Sequence, residues 1–155
     1  SLATRLQGKE PFRIEIEILL EANLRPPDRI LLSLGSLHAG LVSMSRSRRR
    51  PPRWRPLLVQ EGRLTARSFL SFAWLAWLDR GETIRLHPGC RYRLQVQAGA
   101  VGRGGGRQVD FRLDGRSLLT LHHAPSGRGA SPRLDLRLSG PARVTTVALE
   151  GVPLE

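Results

Sequence analysis

The chain has 155 residues, enough for one domain with a hydrophobic core and no need of disulfide or metal staples. Hydrophobic residues make up 40%, too many for a disordered chain, while aromatics are only 5%, so the core must come mainly from Leu, Val and Ile. The 25 basic residues outnumber 13 acidic ones for a formal charge of +12, and the single cysteine, Cys90, excludes an intramolecular disulfide and, with four scattered histidines, a zinc site.

Phe12, Ile14, Ile16 and Ile18 alternate with Arg13, Glu15 and Glu17. That period of two predicts a half-buried strand, ended by Arg25-Pro26-Pro27-Asp28. Residues 29–34 (RILLSL) predict a second strand, expected to pair antiparallel with the first through a short loop. Residues 43–56 (SMSRSRRRPPRWRP) hold six arginines, three prolines and no acid, and predict a long exposed loop. A short strand is expected from Arg55 to Val59. Residues 68–78 (SFLSFAWLAWL) are apolar on nearly every side, so periodicity leaves strand and helix both open.

From Thr83 the punctuation is regular. Residues 83–86 predict a short strand and His87-Pro88-Gly89 a turn. Tyr92, Leu94, Val96 and Ala98 alternate with Arg91, Arg93, Gln95 and Gln97, before a glycine-rich loop over 99–106. Val109, Phe111 and Leu113 lead into Asp114-Gly115, a type I′ hairpin signal, and Ser117 to Leu121 returns. After a loop over 125–132, Leu134, Leu136 and Leu138 alternate with charges. Gly140-Pro141 turns, and residues 143–149 close the domain. About ten short strands without a clear amphipathic helix predict an all-β antiparallel sandwich spanning 1–155 as one domain. The polar alternates are largely Arg and Gln, so one sheet face is expected to be wet and basic.

No spacing assembles a catalytic Ser, His and acid, and there is no GxSxG elbow, so no enzyme is expected. His122 and His123 are adjacent, which in a strand sends their side chains to opposite faces and prevents joint chelation. The Gly102–Arg107 loop lacks the strand-to-helix context and GK[ST] ending of a phosphate cradle, although its two arginines suit an anion. No cofactor or metal is implied. Cys90, beside a turn and Arg91, reads either as a reactive thiol or as incidental.

Lys9 is the only lysine, so the basic residues are nearly all arginines. A GC-rich gene yields the same bias. A polyanion partner, nucleic acid or sulfated glycan, is the functional reading, because the planar guanidinium grips phosphate, sulfate and carboxylate bidentately. Its candidate residues are Arg46, Arg48, Arg49, Arg50, Arg53 and Arg55, with Trp54 among them for stacking. Trp74 and Trp77 read as core or, if exposed, as sugar-stacking residues. Residues 1–5 do not read as a signal peptide, and no apolar run reaches the ~20 residues of a membrane span. The expected location is cytoplasmic or nuclear, or exported without a signal peptide, with no membrane insertion. A larger parent protein is a further reading.

HPGCRYRLQV from His87, VDFRLDGRSLLTLHH from Val109 and PRLDLRLSGPARVTTVALEGV from Pro132 resemble, in order and spacing, the tail of galectins. Upstream, residues 28–34 (DRILLSL) are similar to an early galectin strand. The resemblance implies a galectin-like jelly roll and a glycan or protein partner. It does not extend to the galectin sugar motif, His-x-Asn-x-Arg followed by Asn and Trp-Gly-x-Glu-x-Arg. His38 is followed by Ala39, Gly40, Leu41 and Val42, and Asn23 is the only asparagine. The glycan candidates that the resemblance leaves are Trp77, Trp74, His38, Arg80 and Glu82. Three functions stand: a divergent lectin or protein-interaction module, a polyanion-binding domain working through the arginine-rich loop, and an assembly subunit forming a homo-oligomer, including a viral one.

Overall fold

The computed structural model describes residues 5–7, 10–21, 29–35, 37–43, 53–60, 83–102, 106–125, 133–140 and 142–151. The predicted first strand is β2 (Phe12–Leu20), and its alternation is realised in full. Phe12, Ile14, Ile16, Ile18 and Leu20 are buried while Arg13, Glu15 and Glu17 are half-exposed. Each such buried aliphatic contributes roughly 1.5–3 kcal/mol over leaving it in water.

The other strands among the described residues are β1 (Arg5–Gln7), β3 (Arg29–Leu34), β4 (Leu37–Ser43), β5 (Arg53–Gln60) and β6 (Ile84–Arg85). They continue with β7 (Arg91–Ala98), β8 (Gly106–Leu113), β9 (Arg116–Pro125), β10 (Arg133–Ser139) and β11 (Ala142–Glu150). They form two antiparallel sheets, β1-β10-β3-β4-β5-β6 and β11-β2-β7-β8-β9. One core joins the sheets. Ile14, Ile16, Leu94, Val96 and Phe111 come from the five-stranded sheet, and Leu32, Leu34, Ala39, Leu41 and Trp54 from the six-stranded one. This is the expected all-β sandwich. No helix among the described residues is long and apolar enough to cross a membrane.

The predicted pairing of β2 with β3 does not hold. β2 lies between β11 and β7, whereas β3 lies between β10 and β4. Both strands carry a fully apolar face, and each lines the opposite wall of the core, so the chain changes sheets between Leu20 and Arg29. β4, like the short β1, is a strand that the pattern does not announce. Leu34 stands opposite Leu37, and Gly35 turns the chain with a φ of 60°. The hairpin at Asp114-Gly115 is as predicted, with φ of 49° and 83°, and Asp114 Oδ1 accepts a 2.8 Å hydrogen bond from the Arg93 amide.

The expected exposed loop over 43–56 is too wide at both ends. Ser43 ends β4, fully buried, and stands opposite Trp54. Residues 53–56 are the start of β5, two residues earlier than predicted. The cause is Trp54 itself, whose indole is 0% exposed and fills the core beneath β4. Among the described residues β6 pairs only with Arg53 and Trp54, so at Pro56 that side of β5 carries no ladder, the place where a strand tolerates proline.

Candidate functional site

Alternation sorts the six-stranded sheet into two faces. In β4, Leu37, Ala39, Leu41 and Ser43 face the core, so His38, Gly40 and Val42 face outward. Their register partners share that outer face. Ser33, His38 and Val59 form one row, Leu31, Gly40 and Leu57 the next, and Arg29, Val42 and Arg55 the third. Leu31, Leu57 and Val59 pack as a second apolar cluster outside the main core. The outward row is therefore closed, with His38 at 9% exposure, Leu57 at 3% and Val42 at 3%, and apolar at its centre around Gly40.

His38 and Ser33 are the polar groups of the first row. The His38 Nδ1 lies 2.9 Å from Ser33 Oγ, and burial pushes the His38 pKa below the usual histidine value. The galectin pattern places His, Asn and Arg at three alternate positions of one strand. Here those outward positions are His38, Gly40 and Val42, so two of the three groups that grip sugar hydroxyls are a hydrogen and an isopropyl. An aliphatic face cannot replace those hydrogen bonds, and a ligand hydroxyl desolvated against it goes unpaired.

Of the other predicted residues, Trp54 is corrected outright: it faces the core and offers no surface for stacking. Arg53 and Arg55, two positions apart on β5, lie on the outer face. Trp74, Trp77, Arg80, Glu82, Arg46, Arg48, Arg49 and Arg50 lie outside the described residues, as does the strand-or-helix segment 68–78. Arg107, expected to be available to an anion, is buried in β8 with its guanidinium 5.0 Å from the Phe12 ring centroid, and burial lowers its pKa. No group of three metal-ligating side chains occurs among the described residues. Cys90 is free and exposed.

The five-stranded sheet carries the wet outer face, but it is less basic than its sequence suggests, because carboxylates are threaded between the arginines. Glu15 pairs with Arg13 at 3.1 Å and Arg93 at 3.0 Å, and Glu17 approaches Arg91 at 3.8 Å. Asp110 accepts from Arg112 at 2.6 Å, Ser117 at 2.6 Å and Thr120 at 2.9 Å. Burial alone raises the Asp110 pKa, but those three hydrogen bonds and the Arg112 charge outweigh it, holding the carboxyl below its ordinary value. Sequence reasoning missed a second set of arginines, Arg29 and Arg85. They are far apart in the chain and meet Arg55 and Arg53 only through strand register.

The sandwich has counterparts among solved structures. Sheep galectin-11, in a complex with glycerol, superposes with a TM-score of 0.52 at 11% identity, covering 96% of each chain. The Caenorhabditis elegans galectin LEC-6 gives 0.50 at 13% identity, covering 96% of this chain and 89% of that one. The fold is galectin-like. The galectin-like sandwich is not confined to lectins. The alginate lyase Aly36B, bound to an alginate tetrasaccharide, matches with a TM-score of 0.56 at 8% identity, covering 98% of this chain and 72% of the lyase. No protein-family model matches this chain, and no curated protein matches it by sequence.

Proposed function

We propose that this chain is a non-enzymatic binding module of galectin-like fold that has lost recognition of neutral β-galactosides and holds a different partner. One observation carries this reading. The outward positions of β4 are His38, Gly40 and Val42, and Gly40 is set between Leu31 and Leu57, so the centre of the face that would meet a sugar is apolar and closed. A lectin site needs convergent donors and acceptors for hydroxyl groups, and their loss costs affinity steeply because desolvated hydroxyls are left unpaired.

A glycan array carrying neutral, sialylated and sulfated glycans, read at low and at physiological salt, tests the reading. The expected outcome is no lactose-inhibitable binding to neutral β-galactosides at either salt. Lactose-inhibitable binding overturns it. In this reading Trp77 is the candidate stacking residue for any glycan that does bind, and Trp77→Ala removes such binding.

A further inference from the structure

The four strands β3 to β6 contain four arginines and not one aspartate or glutamate. Register gathers all four. Arg29 and Arg55 stand opposite each other across Val42. Arg53 is the next outward position on β5 and stands directly opposite Arg85 on β6. Their chain neighbours Ile30, Trp54 and Ile84 belong to or pack against the core, so the arginines share the outer face at one corner of the six-stranded sheet. From ladder geometry, Arg29 and Arg55 are about 10 Å apart at Cα, Arg55 and Arg53 about 7 Å, and Arg53 and Arg85 about 5 Å.

Arg29, Arg53 and Arg85 have no carboxylate partner among the described residues, whereas Arg13, Arg91, Arg93 and Arg112 on the other sheet each have one. Like charges directly opposite each other in a sheet are destabilising, and Arg53 facing Arg85 is such a pair. Arg29 Nε is also buried without a hydrogen-bond partner, an uncommon condition for a group that donates strongly. Two unfavourable arrangements at one corner are both relieved by an anion seated there.

We propose that the corner formed by Arg29, Arg53, Arg55 and Arg85 is a binding site for a sulfated polysaccharide. The proposal deepens the reading given above and rests on it, because a module that kept neutral galactoside recognition would need no such site. The guanidinium fork matches a sulfate group in two parallel hydrogen bonds, and the corner is long enough to meet charges on successive sugars. The surroundings select against nucleic acid. The outward neighbours Leu31, Val42, Leu57 and Val59 are aliphatic, His38 is closed off at 9% exposure and Trp54 faces the core, so the described face has no open ring on which a base can stack. It also presents no helix to enter a duplex groove.

The test measures binding of the full chain to immobilised heparin at about 0.15 M salt. One variant carries Arg29→Gln, Arg53→Gln and Arg85→Gln. A second removes the same charge from the five-stranded sheet through Arg91→Gln, Arg93→Gln and Arg143→Gln. The corner variant is expected to bind roughly tenfold or more weakly, and the second within about threefold of the parent. The double variant Arg53→Gln/Arg85→Gln touches two exposed positions and keeps the comparison valid if burial of Arg29 makes the triple variant unstable. Equal losses in both triple variants reduce the effect to bulk charge and overturn the proposal, as does an unaffected corner variant. Displacement of heparin by single-stranded DNA of matched charge overturns the ligand class. Calorimetry of the parent chain with lactose separates the two levels: lactose binding defeats the broader reading whatever the variants do.

Discussion

His38 is a histidine whose charged form its surroundings disfavour. Its ring is 9% exposed, its Nδ1 meets Ser33 Oγ at 2.9 Å, and desolvation lowers its pKa from 6.5. The consequence for stability follows from linkage. Between the lowered folded pKa and 6.5 the unfolded chain binds a proton that the folded chain refuses, so stability falls as pH drops through that window. Asp110 acts lower down: its folded pKa is depressed, so its contribution is present above the unfolded carboxylate range and is lost only at more acidic pH. Urea unfolding at about pH 8 and about pH 5.5 therefore isolates the histidine. The parent is expected to be less stable at the lower pH, and His38→Gln to show a shallower pH dependence. An unchanged slope in the variant would place the titrating group elsewhere.

At the level of the single strand, β4 is the element that shapes the site, and Gly40 is its unusual residue. A Cβ built there overlaps the Ile30 carbonyl oxygen and comes within 3.0 Å of Leu31 Cα, so β3 and β4 approach too closely for any side chain. Glycine in a strand interior is ordinarily a weakness, and alanine there gains roughly 0.5–1 kcal/mol. At Gly40 the sign reverses: Gly40→Ala is expected to destabilise by about 1–3 kcal/mol, read as a lower denaturation midpoint at unchanged slope. A stabilised variant would refute the close approach. The same strand marks where reading from sequence stops. β2, β7 and β8 were legible because one face is wet and their apolar residues alternate. β4 is buried on both faces, so LHAGLVS has no period to detect. Trp54 escapes the sequence pattern for a related reason. Six arginines and three prolines dominate the window around it, and only the register opposite Ser43 shows that the strand has already begun. The arginine corner was invisible because register, not sequence proximity, brings Arg29 to Arg55 and Arg53 to Arg85.

Viewed as a whole, the sandwich is stitched together by strands distant in the chain. β2 pairs with β11 along nearly its full length, and Thr145, at the bulge between Val144 and Thr146, donates to the Glu17 carbonyl across a separation of 128 residues. β1 likewise pairs with β10, and β3 with β10 as well as with β4. The two sheets thus depend on late-synthesised strands to complete both of them: β10 joins the six-stranded sheet and β11 edges the five-stranded one. Until β11 arrives, β2 has an open edge whose buried face is Phe12, Ile14, Ile16 and Ile18. Closing loops of this length costs entropy before any contact repays it, so the topology itself slows folding. Stopped-flow refolding is expected in the millisecond-to-second range typical of sandwiches, not in microseconds. Like β3 to β6 in the other sheet, β7, β8 and β9 pair in sequence order, and with the tight hairpin at Asp114-Gly115 they make a meander able to form early. A destabilising change in that meander, such as Gly115→Ala at a φ of 83°, should slow refolding, whereas a change in β11, such as Val147→Ala, should mainly speed unfolding. The reverse pattern would place the nucleus at the β2–β11 seam and make closure of the two chain ends the first event in folding.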